Sequence, residues 1–222
     1  MIPIFLPFIA VVLGFFAAMA LKNINSNSIK LVLAFSGAFL LSTTVHEFLP
    51  EVFEDGSRYG VYIVIGVFIQ IILEFFSKGA EHGHLHINKE VPSFPTALFV
   101  SLCIHAFLEG IPLNASQSMV YGIAVHKIPI AFIFSSFLLQ QGYGVFKSAL
   151  LVFIFALMSP LGTLLNEYIL LDDELVTIIK AIVAGIVLHV STTLILEASE
   201  AHKFNLAKML VMIIGAAMGL LL

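Results

Sequence analysis

The chain alternates between long apolar segments and short polar connections. A hydrocarbon core of about 30 Å takes roughly 20 helical residues, so each long apolar segment predicts one transmembrane helix. The segments cover residues 2–21, 31–50, 60–76, 96–115, 119–140, 145–166, 175–198 and 205–222. The sequence therefore predicts an all-α, polytopic membrane protein with eight transmembrane helices.

Charged residues divide the connections into two alternating sets. One set contains Lys22, Lys30, Lys78, Lys89, Lys147, Lys203 and Lys208. The other contains Glu51, Glu54, Asp55, Arg58, Asp172, Asp173 and Glu174. Because lysine-rich loops stay in the cytoplasm, this segregation predicts that both termini are extracytoplasmic. Adding or removing one span would mix the two sets, which supports the number eight.

Composition narrows the class further. The 222 residues are 60% hydrophobic and 11% charged, and the mean hydropathy is +1.08. Eight spans use nearly all of this length, so we expect residues 1–222 to form a single transmembrane domain. The net charge of −4, without a basic run, argues against nucleic acid as a partner. A lone cysteine, Cys103, excludes cysteine zinc fingers and disulfide redox chemistry.

The fourth and fifth segments carry ionisable side chains at depths where burial of a charge in the membrane is energetically unfavourable. In HAFLEGIP, His105 and Glu109 are four residues apart and so share a helical face. In VHKIPIAF, His126 and Lys127 fall at a matching depth of the next span. Two imidazoles and a carboxylate suit divalent zinc, iron, manganese or cobalt, with zinc the first expectation. The alternative is that the histidines and Glu109 are hydrogen-bonded packing residues.

Prolines accompany the polar side chains. Pro50, Pro112 and Pro129 each deprive the carbonyl four residues earlier of its helical hydrogen bond, beside a polar side chain in every case. Interrupted helices that face a polar cavity are typical of transporters. The sequence therefore predicts three interrupted helices around the candidate metal site.

Other histidines and carboxylates lie nearer the membrane surfaces. His46, Glu47 and Glu51 are predicted at the outer mouth, either to capture an ion or to be solvated. His189 and Glu197 are predicted on the inner half of the seventh span, as an exit path or a solvated helix end. The cytoplasmic loop at residues 77–95 contains His82, His84 and His86, which could receive metal or be incidental.

The strings HEFLPE, HAFLEG, HKIP, SPLG and AGIVLHVSTTLILE, in this order, resemble the ZIP (Zrt/Irt-like) family of divalent metal transporters. The resemblance implies eight helices, outward termini, import toward the cytoplasm, and ligand roles for His105 and Glu109. Ala106 replaces the family's usual asparagine, and Lys127 stands where a carboxylate is common. We therefore expect a single-metal site, with Lys127 in or near the position of a second ion.

These observations favour alternating-access transport of a divalent cation, with zinc as the first expectation. The ion would be the transported substrate and not a cofactor. The ion would enter past Glu51 and His46, bind His105, Glu109 and His126, and leave past His189 toward Glu197 and the loop histidines. Two rival interpretations are an intramembrane zinc hydrolase and a sensor that binds metal without moving it. We expect no enzyme activity, since HExxH is absent.

The surroundings of the protein can also be anticipated. Short loops and absent targeting signals fit a bacterial inner membrane, with lipid as the surrounding partner. Gly215 and Gly219 form a GxxxG in the last segment, which permits close helix packing within the chain or in a homodimer. We favour packing within the chain.

Overall fold

The computed structural model of the chain describes residues 2–21, 26–54, 56–77, 96–114, 117–169, 172–198 and 206–221. Within these ranges it is all-α and contains no strand, which confirms the predicted fold class. The α-helices of the described part are α1 (Ile2–Ala20), α2 (Ser26–Thr43), α3 (Leu49–Glu54), α4 (Gly60–Ser77), α5 (Thr96–Gly110), α6 (Gln117–Gln140), α7 (Val145–Ile169), α8 (Asp173–Ala198) and α9 (Leu206–Leu220).

Each predicted apolar segment coincides with a helix. Seven helical stretches are long and apolar enough to cross a membrane, and α9, with 15 residues, is shorter. The largest difference is in the second segment, predicted at 31–50, where the helical stretch runs from Asn27 to Glu54. The chain is an integral, multi-pass membrane protein. The outward position of both termini stays a prediction.

A π-helix, Thr44–Phe48, joins α2 to α3. Pro50 follows two residues later; it cannot donate a hydrogen bond, and its ring clashes with the carbonyl four residues earlier. The chain responds by lengthening one turn, so the Leu49 N–H bonds to Thr44 O, five residues back. The interruption predicted at Pro50 is therefore present, as a shift in helical register.

The other two prolines behave differently. α5 ends at Gly110, and a 3₁₀ turn, Ile111–Asn114, contains Pro112. This confirms the interruption predicted there. α6, in contrast, continues as an α-helix through Pro129, so the break predicted at this position is wrong. α6 is packed against α1, α2 and α7, and tertiary packing of this kind lets a transmembrane helix continue through a proline.

The helices form two groups by their most extensive packing contacts. In group A, α1 packs on α6 and α7, and α5 packs on α7. In group B, α2 packs on α9 and α8, and α4 packs on α8. The groups meet mainly where α2 contacts α6 and where α4 contacts α5. The described part of the chain thus contains two four-helix groups with a narrower boundary between them.

Glycines bring backbones together inside each group. In group B, a Cβ on Gly66 of α4 would collide with the carbonyl of Ile182 on α8. In group A, a Cβ on Gly14 of α1 would lie 2.6 Å from Ile128 O on α6. Gly215 of α9 would similarly meet Phe35 O of α2 at 2.6 Å. The GxxxG of the last helix therefore serves packing within the chain, as we favoured from the sequence.

We predict that Gly66→Ala lowers the free energy of unfolding by about 1–3 kcal/mol, because the added methyl meets a helix backbone that cannot rotate away. This loss should appear although alanine is intrinsically the better helix former by about 1 kcal/mol. Thermal unfolding of the detergent-purified protein measures it. Gly144→Ala is the control, since its Cβ would have no neighbour within 4 Å. Equal stability of the two variants would contradict the α4–α8 packing.

Candidate metal site

His105 and Glu109 lie one turn apart on α5 and point into the protein. They are 1% and 0% exposed, and His105 Nε2 lies 3.0 Å from Glu109 Oε1. The four-residue spacing produces this contact, because side chains at i and i+4 are neighbours on a helix. The two potential ligands that the sequence predicts on this helix therefore share one buried position.

His126 reaches the same position from α6. It is 0% exposed, and its ring centroid lies 6.3 Å from that of His105, at an interplanar angle of 72°. One ligand atom from each of His105, Glu109 and His126 lies within 4.8 Å of the other two. Ligands of a tetrahedral zinc ion at 2.0–2.2 Å are about 3.4 Å apart. A small inward movement of the side chains would bring the three atoms to that separation.

Lys127 lies beside this trio and not away from it. Its Nζ donates to Glu109 Oε2 at 2.9 Å, and it lies 5.6 Å from the ring centroid of Phe155. Glu109 therefore has His105 near one carboxylate oxygen and Lys127 near the other. A buried carboxylate is strongly destabilising in lipid unless a cation neutralises it, as the Lys127 ammonium does here.

Polar side chains of α7 hold the end of α5. The 3₁₀ turn and Pro112 leave carbonyls at this end without their usual helical donors. Three side chains of α7 donate to carbonyls in this region: Ser159 Oγ to Ala106 O at 2.9 Å, Thr163 Oγ1 to Gly110 O at 2.9 Å and Asn166 Nδ2 to Ile111 O at 3.0 Å. They fix the backbone on both sides of Glu109. The interrupted helix predicted at Pro112 is thus stabilised from a neighbouring helix.

Two residues of α4 contribute to the site region but were missed by the sequence analysis. Gln70 Oε1 lies 2.9 Å from His105 Nδ1, and Glu74 Oε2 lies 2.7 Å from His189 Nε2. Glu74 could have been found, since it is an ionisable residue inside a predicted span. Gln70 is uncharged, so the sequence gives little reason to select it. The one indication of a role in the site is its position one helical turn before Glu74.

The residues predicted for the outer mouth do not join the ligand trio within the described part of the chain. His46 is exposed in the π-helix. Glu51 is half-buried, and its Oε2 lies 3.7 Å from Nζ of Lys180 on α8. A lysine this close weakens the attraction of Glu51 for a cation.

The residues predicted for the inner side are only partly described. His189 lies on α8 and pairs with Glu74, both half-buried. Glu197 belongs to the last turn of α8, but its side chain lies outside the described residues. The loop histidines His82, His84 and His86 also lie outside them.

Apolar clusters lie before and after the site along the helices. On α5, Leu102 belongs to one cluster and Leu113, just past the helix, to the other, with His105 and Glu109 between them. The first cluster is drawn from group A and also contains Leu98, Phe134, Leu138 and Phe155. The second joins both groups through Leu40, Phe48, Val52, Val120, Ile123 and Val187. Apolar packing therefore encloses the site on both of its sides along the helix axes.

A multi-pass helical protein with a buried His/Glu trio beside interrupted helices is what a membrane metal transporter needs. Residues 96–222 match the family model of the ZIP zinc transporters. The match covers more than half of the chain and includes the three residues of the trio together with Lys127. The chain belongs to the ZIP zinc transporter family, as the sequence motifs indicated.

A curated relative supports the same family. The chain is 26% identical over 162 residues to Protein zntD of Dictyostelium discoideum. The alignment covers 62% of this chain and 24% of that protein. The chain thus matches about a quarter of the relative's length.

We predict that Glu109→Gln lowers the free energy of unfolding by about 3–5 kcal/mol, because it leaves the Lys127 ammonium buried without a carboxylate. The double variant Glu109→Gln/Lys127→Met should recover much of this loss, since no buried charge remains. Glu167→Gln, at an exposed position of α7, is the control. Thermal unfolding in detergent measures all three. A double variant no more stable than Glu109→Gln would contradict the charge pair.

Proposed function

We propose that this chain carries divalent metal cations across a membrane by alternating access through His105, Glu109 and His126, with zinc as the preferred ion. The observation that supports it most is the approach of three ligand atoms to within 4.8 Å in a buried position. The mixed nitrogen and oxygen donors favour zinc, and suit divalent iron or manganese next. Membership of the ZIP zinc transporter family supports both the ion and transport toward the cytoplasm.

The site takes one ion at a time. The Lys127 ammonium bonds to the second oxygen of Glu109 at 2.9 Å, where a second divalent ion would need the same carboxylate. Two like charges at this distance repel strongly in a poorly solvated interior. Lys127 therefore stands in the place of a second metal.

Movement of group A against group B alternates the access. Group A carries His105, Glu109, His126 and Lys127, so the coordinating side chains would move as a unit. The apolar cluster that joins both groups, including Phe48 and Ile123, closes the predicted extracytoplasmic side in this arrangement. Separation of the groups there would open the site to that side.

The path leads from the predicted outer mouth at Glu51 and His46 to the inner end of α8. Glu51 is half-buried and so accessible to hydrated ions, although Lys180 moderates its charge. His189 and Glu74 offer a half-buried imidazole and carboxylate on the inner half of group B. Release would then continue toward Glu197 and the loop histidines.

The proposal extends to the domain organisation, the membrane and the oligomeric state of the protein. We propose that residues 1–222 act as one transporter domain in a cell membrane, with a bacterial inner membrane favoured by the short connections between helices. A homodimer would need a surface other than Gly215 and Gly219, which already pack on α2.

Uptake of radiolabelled zinc into proteoliposomes tests the function. Wild-type protein should give saturable uptake, inhibited by unlabelled zinc more than by iron or manganese, and Glu109→Ala should abolish it. Cadmium serves as a further competitor. Glu167→Ala, on the exposed surface of α7, should transport normally. Zinc binding without uptake by the wild type would overturn transport and favour a sensor or a zinc hydrolase.

The number of bound ions tests the role of Lys127. We predict one zinc ion per wild-type chain, and two per Lys127→Glu chain, because the substitution replaces the ammonium with a second carboxylate. Equilibrium dialysis followed by metal analysis measures both values. Lys147→Glu, a change of the same charge at an exposed position of α7, should still bind one ion. Two ions per wild-type chain would contradict the proposal.

A further inference from the structure

The imidazole of His105 is held from both sides by groups on different helices. Nε2 faces Glu109 Oε1 at 3.0 Å, and Nδ1 faces Gln70 Oε1 at 2.9 Å. An amide oxygen can only accept a hydrogen bond, so Nδ1 must carry the proton that bonds to it. Nε2 is then the nitrogen that faces the ligand trio.

We propose that Gln70 is the positioning residue of the metal site, and this inference rests on the proposed function. By accepting the Nδ1 proton, Gln70 fixes the ring orientation and the tautomer of His105, so that Nε2 offers its lone pair to the ion. Such partners of metal-binding histidines also raise the basicity of the ligand nitrogen. Gln70 is itself 0% exposed, so water does not compete for this bond.

The bond also crosses the boundary between the two helix groups. Gln70 lies on α4 of group B, and His105 lies on α5 of group A. A movement of group A against group B separates the amide from the imidazole, and the ring loses its fixed orientation. The ion is therefore held most tightly in the arrangement described here and less tightly after the groups move. Because coupling is reciprocal, a bound ion favours this arrangement.

A second hydrogen bond crosses the same helix pair and provides a matched control. Ser101 Oγ, on α5, donates to Leu73 O, on α4, at 2.7 Å in a buried position. Ser101→Ala removes a bond between α4 and α5 that does not involve the His105 imidazole. It therefore separates the effect of helix packing from the effect of histidine orientation.

The test compares Gln70→Leu, Gln70→Glu and Ser101→Ala with the wild type. Zinc affinity is measured in detergent by competition with a chromophoric chelator, and the ligand geometry is followed by the visible absorption of bound cobalt(II). Gln70→Leu should weaken zinc binding roughly 10–100-fold and alter the cobalt spectrum. Gln70→Glu retains an acceptor, so its affinity should equal or exceed that of the wild type. Ser101→Ala should change affinity by less than about threefold.

Transport kinetics provide a second, independent measurement of the role of Gln70. In proteoliposomes, Gln70→Leu should raise KM by a factor similar to its loss of affinity. Its maximal rate should not fall, because the groups no longer have to break this bond when they move. A lower maximal rate with unchanged KM would overturn the inference.

The outcomes separate this inference from the proposed function. Wild-type transport together with unchanged zinc affinity and cobalt spectrum in Gln70→Leu would overturn only the role of Gln70. Equal losses in Gln70→Leu and Ser101→Ala would assign the effect to helix packing and overturn it as well. If Gln70→Leu does not fold, weak binding by a folded Gln70→Glu decides against the inference. Failure of the wild type to transport zinc would instead overturn the proposed function.

Discussion

A carboxylate buried as completely as that of Glu109 has to be neutralised, and much of the structure follows from how this is done. His105 and Lys127 approach its two oxygens at 3.0 and 2.9 Å. They come from α5 and α6, so side chains of both helices must reach the same buried point. Ser159 and Thr163 of α7 then hold the carbonyls near the end of α5. The packing of group A is organised around one negative charge.

Contacts in which one helix backbone meets another are prominent inside the groups, where polar side-chain contacts also occur. Inside group B, Gly66 and Gly185 bring the backbones of α4 and α8 into direct contact. At the boundary, Gly122 of α6 instead faces the hydroxyl of Thr43, a side chain that can rotate. The polar links between α4 and α5 are likewise made by side chains, at Gln70 and Ser101. Contacts between backbones resist sliding, whereas contacts between side chains can be exchanged, so the boundary suits the movement that we propose.

The sequence predicted the features that depend on local spacing. Apolar length located the spans, and the separation of His105 from Glu109 placed both on one face of a helix. The proximity of His126 followed from matching depths in adjacent helices. Features that depend on packing between distant helices could not be predicted this way. The Gln70–His105 bond joins residues 35 positions apart through an uncharged side chain. The pairing of Lys180 with Glu51 depends on how α8 packs against α3. α6 continues through Pro129 because neighbouring helices support it, which local rules do not contain.

The pair of Glu109 and Lys127 has an electrical consequence. With neutral imidazoles, the empty site holds one carboxylate and one ammonium, and its net charge is zero. Each elementary charge that crosses the membrane potential is worth about 2.3 kcal/mol per 100 mV. In the alternating access that we propose, return of the empty group A would be indifferent to voltage, whereas the loaded group would carry the full double charge of its ion. Under this proposal, a potential negative inside would drive the loaded step inward and leave the return step unopposed.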